Sequence, residues 1–224
     1  MKLFFRPLLL VTVLFLTISM TMDKPIRVIF FGDSITQMGA DPGGYIDRMN
    51  ATLKGKGLAS RYELIGAGIG GNKVYDLYLR MEEDVMSKSP DIVVIWVGVN
   101  DVWHKSSFGT GTDADKFEKF YEAIIKKLEV KNIRVILCTP STIGEKTDFS
   151  NQQDGDLNKY SAIIRNLALK HNCKLCDFRK IFHDYELTFN TENLEKGILT
   201  MDGVHLNEKG NQLVAEKLIA LIME

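Results

Sequence analysis

Near its C-terminus the chain reads Asp202-Gly203-Val204-His205. A carboxylate three residues before an imidazole on a tight turn can accept the Nδ1 proton and hold the ring, which leaves Nε2 free to take a proton from a hydroxyl. The same pair could also be a capping Asp beside an incidental surface His. Two of the other three histidines, His171 and His183, have no carboxylate at this spacing near the end of an apolar run. A hydroxyl for such a base stands far upstream, in Gly32-Asp33-Ser34-Ile35-Thr36, directly after a run of apolar residues. At the carboxyl end of a strand a serine faces solvent on a rigid support, although Ser and Asp also serve as ordinary turn and capping residues. A third segment, Gly98-Val99-Asn100-Asp101, puts a side-chain amide after another apolar run. There it can donate to a developing oxyanion or simply form a loop. A hydroxyl, an imidazole with its carboxylate and an amide donor are together the parts of nucleophilic acyl transfer.

A rival signal lies between them. Gly66-Ala67-Gly68-Ile69-Gly70-Gly71 is a literal Gly-x-Gly-x-x-Gly between an expected strand and an expected helix, the order of a dinucleotide fingerprint. The fingerprint also needs an acid about 20 residues on, at the end of the next strand. Asp91 comes at that strand's beginning, and Asp101 lies 30 positions past Gly71. Glycine turns equally free backbone N–H groups to point at an anion, which serves an oxyanion as well as a phosphate.

The elements that must position these residues follow from hydrophobic patterning. Strands are expected at about 26–31, 62–65, 92–97, 134–138 and 174–178; runs such as Ile92 to Val97 show no polar alternation, as in strands covered on both faces. Between them apolar residues recur at helical spacing: Val74, Leu77, Tyr78, Met81 and Val85; Phe117, Phe120, Tyr121, Ile124 and Leu128; Leu157, Tyr160, Ile164 and Leu167; and, from about 207 to 222, Val214, Leu218, Leu221 and Ile222. This alternation predicts an α/β fold, a three-layer αβα, doubly wound parallel sheet of five strands, whose sites lie at the carboxyl ends of the strands.

The bulk composition narrows the function classes. With 28 basic against 29 acidic residues, scattered among one another, the chain lacks the basic face a nucleic-acid partner requires. Residues 1–22 have the layout of a secretory signal peptide: Lys2 and Arg6, an apolar run from Leu8 to Ile18, then small residues. That run is short for a membrane span. Export to a periplasmic or extracellular location is therefore expected, with an uncleaved N-terminal anchor as the alternative and 23–224 as a single domain. Cys138, Cys173 and Cys176 are odd in number and make no disulfide framework, and Cys173 and Cys176, three apart on an expected strand, point to opposite faces. No group of histidines and cysteines has metal-ligand spacing, so no metal or organic cofactor is expected.

Taken together and in this order, the segments resemble the GDSL or SGNH hydrolase family over 26–222. Gly32-Asp33-Ser34-Ile35 is similar to its first block, with Ile35 in place of the usual Leu; Gly98 to Asp101 to its Gly-x-Asn-Asp block; and Asp202 to His205 to its Asp-x-x-His block. The glycine block departs from the pattern, with Gly66 where the family commonly has Asn and Asn72 where it has Asp. The first block is not the Gly-x-Ser-x-Gly elbow of the α/β hydrolases, because Thr36 replaces the second glycine. The resemblance implies a flavodoxin-like SGNH hydrolase fold and a serine ester hydrolase with Ser34 as nucleophile, His205 as base and Asp202 as its orienter. It also implies an oxyanion hole of the Ser34 N–H, the Gly71 N–H and the Asn100 side chain. Short-chain or acetyl esters, such as acetylated saccharides, are the expected substrates, with lysophospholipids or thioesters as alternatives. Segments 102–112 and 141–155 are the expected specificity loops. Two other classes compete, a dinucleotide-dependent oxidoreductase resting on Gly66 to Gly71 and a binding protein that has lost activity; intact Ser34, Asn100, Asp202 and His205 argue against the second.

Overall fold

The computed structural model describes residues 24–224; the leader expected at 1–22 lies outside the described residues. Strands β1 (Ile26–Gly32), β2 (Tyr62–Gly68), β3 (Ile92–Trp96), β4 (Arg134–Cys138) and β5 (Lys174–Cys176) alternate with helices α1 (Ser34–Gly39), α2 (Tyr45–Gly55), α3 (Val74–Asp84), α4 (Val99–Phe108), α5 (Ala114–Glu129), α6 (Asp154–Lys170), α7 (Phe178–Phe189) and α8 (Glu208–Met223). The five strands form one parallel sheet in the order β2-β1-β3-β4-β5. Helices α3, α5 and α6 pack side by side, and α2 packs on α8. This is the expected α/β architecture, with strand order reversing at β1 and β3, the place where such sheets carry their sites.

The sheet centre is apolar on both faces. Ile29, Phe30 and Phe31 of β1 and all of β3 are buried, which is why these runs lack polar alternation. Helix α5 turns Phe117, Tyr121, Ile124 and Leu128 inward at spacings of four, three and four, a stripe that contributes about 1.5–3 kcal/mol per fully buried side chain. The register pairs Gly32 with both Gly68 and Trp96. The carboxyl ends of β1, β2 and β3 are therefore level, and the segments that leave them share one edge.

Several boundaries differ from the sequence expectation. Strand β2 runs on through Gly68 rather than ending near 65, because Gly66, Ala67 and Gly68 pair with Phe30, Phe31 and Gly32. Strand β5 stops at Cys176 instead of 178, since the Asp177 side chain accepts the Lys180 N–H and starts α7. Segment 102–112 is helical as far as Phe108 rather than a loop, whereas 141–155 is irregular up to Gln153. Cys176 is buried beside Cys138 in the register, Cys173 is partly exposed, and all three thiols are free. No helix among the described residues is long and apolar enough to cross a membrane.

Candidate active site

Ser34 occupies the first position of α1. Asp33 caps that helix by accepting the Ile35 N–H at 3.0 Å. Burial pushes the Asp33 carboxyl up to about 6, against the lowering effects of the Ile35 N–H and of His205. The close seating of α1 on the sheet depends on glycine. A Cβ on Gly68 would lie 2.1 Å from the Gln37 backbone nitrogen, and one on Gly66 would lie 2.9 Å from Ala40 Cβ. Two glycines of the Gly-x-Gly-x-x-Gly run thus serve the approach of α1 to β2.

The other end of the chain meets this serine. His205 Nε2 lies 2.9 Å from Ser34 Oγ, across 171 residues of sequence, and His205 Nδ1 lies 2.8 Å from Asp202 Oδ2. The second Asp202 oxygen accepts the backbone N–H groups of Val204 at 3.0 Å and His205 at 2.8 Å. Partial burial raises the Asp202 pKa, but the His205 ring and these two N–H groups outweigh it and hold the carboxyl below its usual value. The turn that presents both residues is closed by a bridge between Thr200 and Leu206 and by the Met201 N–H donating to the His205 carbonyl at 2.7 Å. Gly203 sits in it at φ 96°, a conformation that strains any L side chain.

Asn100 is buried at the second position of α4, one Nδ2 hydrogen donating to the Asn72 carbonyl at 3.1 Å. An amide nitrogen carries two hydrogens, so one remains for a ligand. Gly71 stands at φ 76°. The Gly70 N–H is taken by the Gln37 side chain at 2.7 Å, while the N–H groups of Gly71 and Ser34 are bonded to no other described residue. A Cβ on Gly70 would come within 3.9 Å of Ser34 Cβ, which puts the glycine loop beside the hydroxyl. All five expected site residues, Ser34, Gly71, Asn100, Asp202 and His205, therefore lie at one edge of the sheet.

Other side chains brace this edge, and nothing in the sequence singled out Arg80 among them. Arg80 reaches from α3 to donate to the carbonyls of Gly32 at 2.8 Å and Ala67 at 3.0 Å and to Asn72 Oδ1 at 2.7 Å, tying the ends of β1 and β2 to the glycine loop. Asp101, fully buried, accepts the Val74 N–H and anchors the start of α3; burial raises its carboxyl to about 7. His104, three residues after Asp101, is one helical turn past Asn100, and its Cε1 would meet a Cβ on Gly71 at 3.8 Å. A cleft of about 400 Å³ borders Asp202 and is lined by Trp103, Lys146, Asn151, Gln153 and Glu195. A smaller cavity of about 190 Å³ lies behind Lys146 and Asn151, around Arg179, His183 and Glu186, and contains none of the five. Chemically, the Ser34–His205–Asp202 chain can move a proton off a hydroxyl as it attacks a carbonyl, and the free N–H groups can receive the oxygen that becomes negative. Among the described residues, no three of the His, Cys, Asp and Glu side chains group as a metal site would need.

Residues 30–213 match the GDSL-like lipase/acylhydrolase family. The crystal structure of the acetyl xylan esterase AlAXEase is 65% identical, covers 88% of this chain and 100% of its own, and superposes with a TM-score of 0.87. The acetylxylan esterase of Geobacillus stearothermophilus is 28% identical over 207 residues, 84% of this chain and 90% of that protein. Solved structures of it include catalytic mutants in which a serine or a histidine is replaced by alanine; these are 25% identical, covering 88% and 87% of this chain and 93% and 92% of theirs, with TM-scores of 0.75 and 0.76. The uncharacterised lipoprotein YqeF of Bacillus subtilis is 24% identical over 172 residues, 69% of this chain and 71% of that protein.

Proposed function

The chain belongs to the GDSL-like lipase/acylhydrolase family and is an ester hydrolase, and from that premise we propose that it removes acetyl groups from xylan-type saccharides through Ser34, His205 and Asp202. The observation that carries the reading is the unbroken line of contacts from Ser34 Oγ through the His205 ring to Asp202, each within 2.9 Å. Ser34 Oγ attacks the acetyl carbonyl while His205 Nε2 takes its proton. Asp202 fixes the ring and offsets the imidazolium charge. The oxyanion lies against the Ser34 and Gly71 N–H groups and the Asn100 amide. His205 then returns the proton to the sugar oxygen, which leaves as an alcohol. In the second half a water loses its proton to His205, attacks the acetyl-enzyme and frees acetate and Ser34.

Support for a saccharide substrate comes from the two acetylxylan esterase relatives and from the cleft beside Asp202, where the Trp103 ring lies among amide and charged side chains. The signal-peptide layout of 1–22 and the lipoprotein relative support export. A 4-nitrophenyl ester series from acetate to octanoate, run beside acetylated xylo-oligosaccharides, tests the substrate. Acetate is expected to turn over fastest, with acetate also released from the oligosaccharides. Preference for the longest acyl chains would overturn it in favour of a lysophospholipid-type substrate. Ser34→Ala should abolish turnover and labelling by a fluorophosphonate without unfolding the protein; labelling at another serine would remove Ser34 from its role.

A further inference from the structure

We propose that Glu145 is a positioning residue for the reaction, a buried carboxylate that holds the turn carrying Asp202 and His205 by gripping three consecutive backbone N–H groups ahead of it. This role rests on the reading of Asp202 and His205 as the working pair. Glu145 has no exposed surface. Its Oε1 accepts the N–H groups of Leu199 and Thr200, each at 2.7 Å, and its Oε2 accepts that of Ile198, also at 2.7 Å. Three adjacent N–H groups converging on one carboxylate form an anion-binding concavity of backbone, here filled by the protein's own side chain. Hydrogen bonds to a charged acceptor are about twice as strong as neutral ones.

The place of the grip gives it its consequence. Thr200 is the first residue of the bridge that closes the turn, pairing with Leu206, and its Oγ1 accepts the Gly203 N–H at 3.0 Å. The neighbouring backbone reinforces the attachment, with the Gly144 N–H donating to the Gly203 carbonyl at 2.9 Å and the Glu145 N–H to the Glu195 carbonyl at 2.8 Å. The irregular segment after β4 is thus stapled along the loop from Glu195 to Gly203, and Glu145 is its only side chain bonded to the 198–200 backbone. Among the described residues, Asp202 and His205 themselves are held to the rest of the fold by few side-chain bonds: Asp202 binds only its own turn, and the His205 ring only Asp202 and Ser34. Their position relative to Ser34 therefore depends on where the base of the turn is fixed.

Glu145→Gln preserves size but replaces one acceptor oxygen by an NH₂ that meets an N–H donor head-on, and it removes the charge. The expected result with 4-nitrophenyl acetate is a fall in kcat of about 10- to 100-fold, the scale of a catalytic group displaced by about 1 Å, with KM little changed. Glu145→Asp, which keeps the charge with a shorter reach, should lie between the two; if the Gln variant does not fold, the Asp variant is measured in its place and must still lose turnover. The loss must vanish in a His205→Ala background, because Glu145 acts through that ring. Unchanged kcat per folded molecule, with only the melting temperature lowered, overturns the proposal. So does a loss that persists in full when His205 is already absent. Wild-type turnover in His205→Ala alone would instead overturn the triad reading, and this role with it, and is told apart by that single variant.

Discussion

Asn100 presents the clearest division of labour within one side chain. One of its amide hydrogens is committed to the Asn72 carbonyl, which fixes the plane of the amide; the other is available to a developing oxyanion. Asn100→Ala removes both at once. If the second hydrogen acts in the transition state, kcat should fall by about 10²- to 10³-fold with KM nearly unchanged. The lost Asn72 bond costs only about 1 kcal/mol of stability, as a typical hydrogen bond does. A variant with a lower melting temperature and full kcat would make Asn100 a structural residue. Short blocks such as this could be picked out as candidates because Ser34, Asn100, Asp202 and His205 each carry their chemistry in the side chain, with Ser34 and Asn100 following the ends of β1 and β3. Arg80 and Glu145 were not, because their partners are backbone carbonyls and N–H groups, which no letter in a sequence distinguishes.

At the scale of elements, the long amphipathic helices and the apolar strands were readable from periodicity, and the missed ones had physical reasons to hide. Helix α1 has six residues, under two turns, too few for a period to show. Helix α4 buries its first residues, Val99 to Val102, half-buries Trp103 and His104, and then runs exposed from Lys105 to Phe108. The glycine block was read as a turn although its first half is strand, because glycine disfavours strands unless another backbone must come close. That close approach makes a prediction. Gly68→Ala would force a Cβ to 2.1 Å from the Gln37 nitrogen and 2.5 Å from the Thr36 carbonyl carbon, both backbone atoms that cannot turn aside. The fold should lose about 1–3 kcal/mol or more, and α1 should lift with Ser34, so that turnover drops even in the folded fraction. Gly55→Ala, at the end of α2 with open space around its Cβ, is the control and should gain about 0.4–1 kcal/mol. Thermal melts and kcat of the two variants decide it; a Gly68→Ala enzyme of full stability and turnover would mean that α1 is not seated by that glycine.

Over the whole molecule, three buried carboxyls leave a common signature in the response to pH. Burial raises Asp33 to about 6 and Asp101 to about 7, and for Glu186 burial first and then the neighbouring Glu145 charge raise it to about 8. Glu186 is nearly inaccessible, and its Oε1 has no hydrogen-bond partner among the described residues. Each group binds its proton more tightly folded than unfolded, where the ordinary values are 3.8 for Asp and 4.5 for Glu. The stability it contributes is complete below the unfolded value and is lost as pH climbs through the folded one. The native protein should therefore become less stable between about pH 5 and pH 8. Glu186→Gln keeps the shape and cannot ionise, so its advantage over wild type should be small at pH 5 and grow to about 1–3 kcal/mol, roughly 3–10 °C in melting temperature, by pH 8. Asp33 and Asp101 remain, so the slope should shrink in the variant and not disappear. Thermal melts of both proteins across that range measure the difference directly, and parallel curves would show that Glu186 is already ionised at pH 5 and that its burial is offset by a partner.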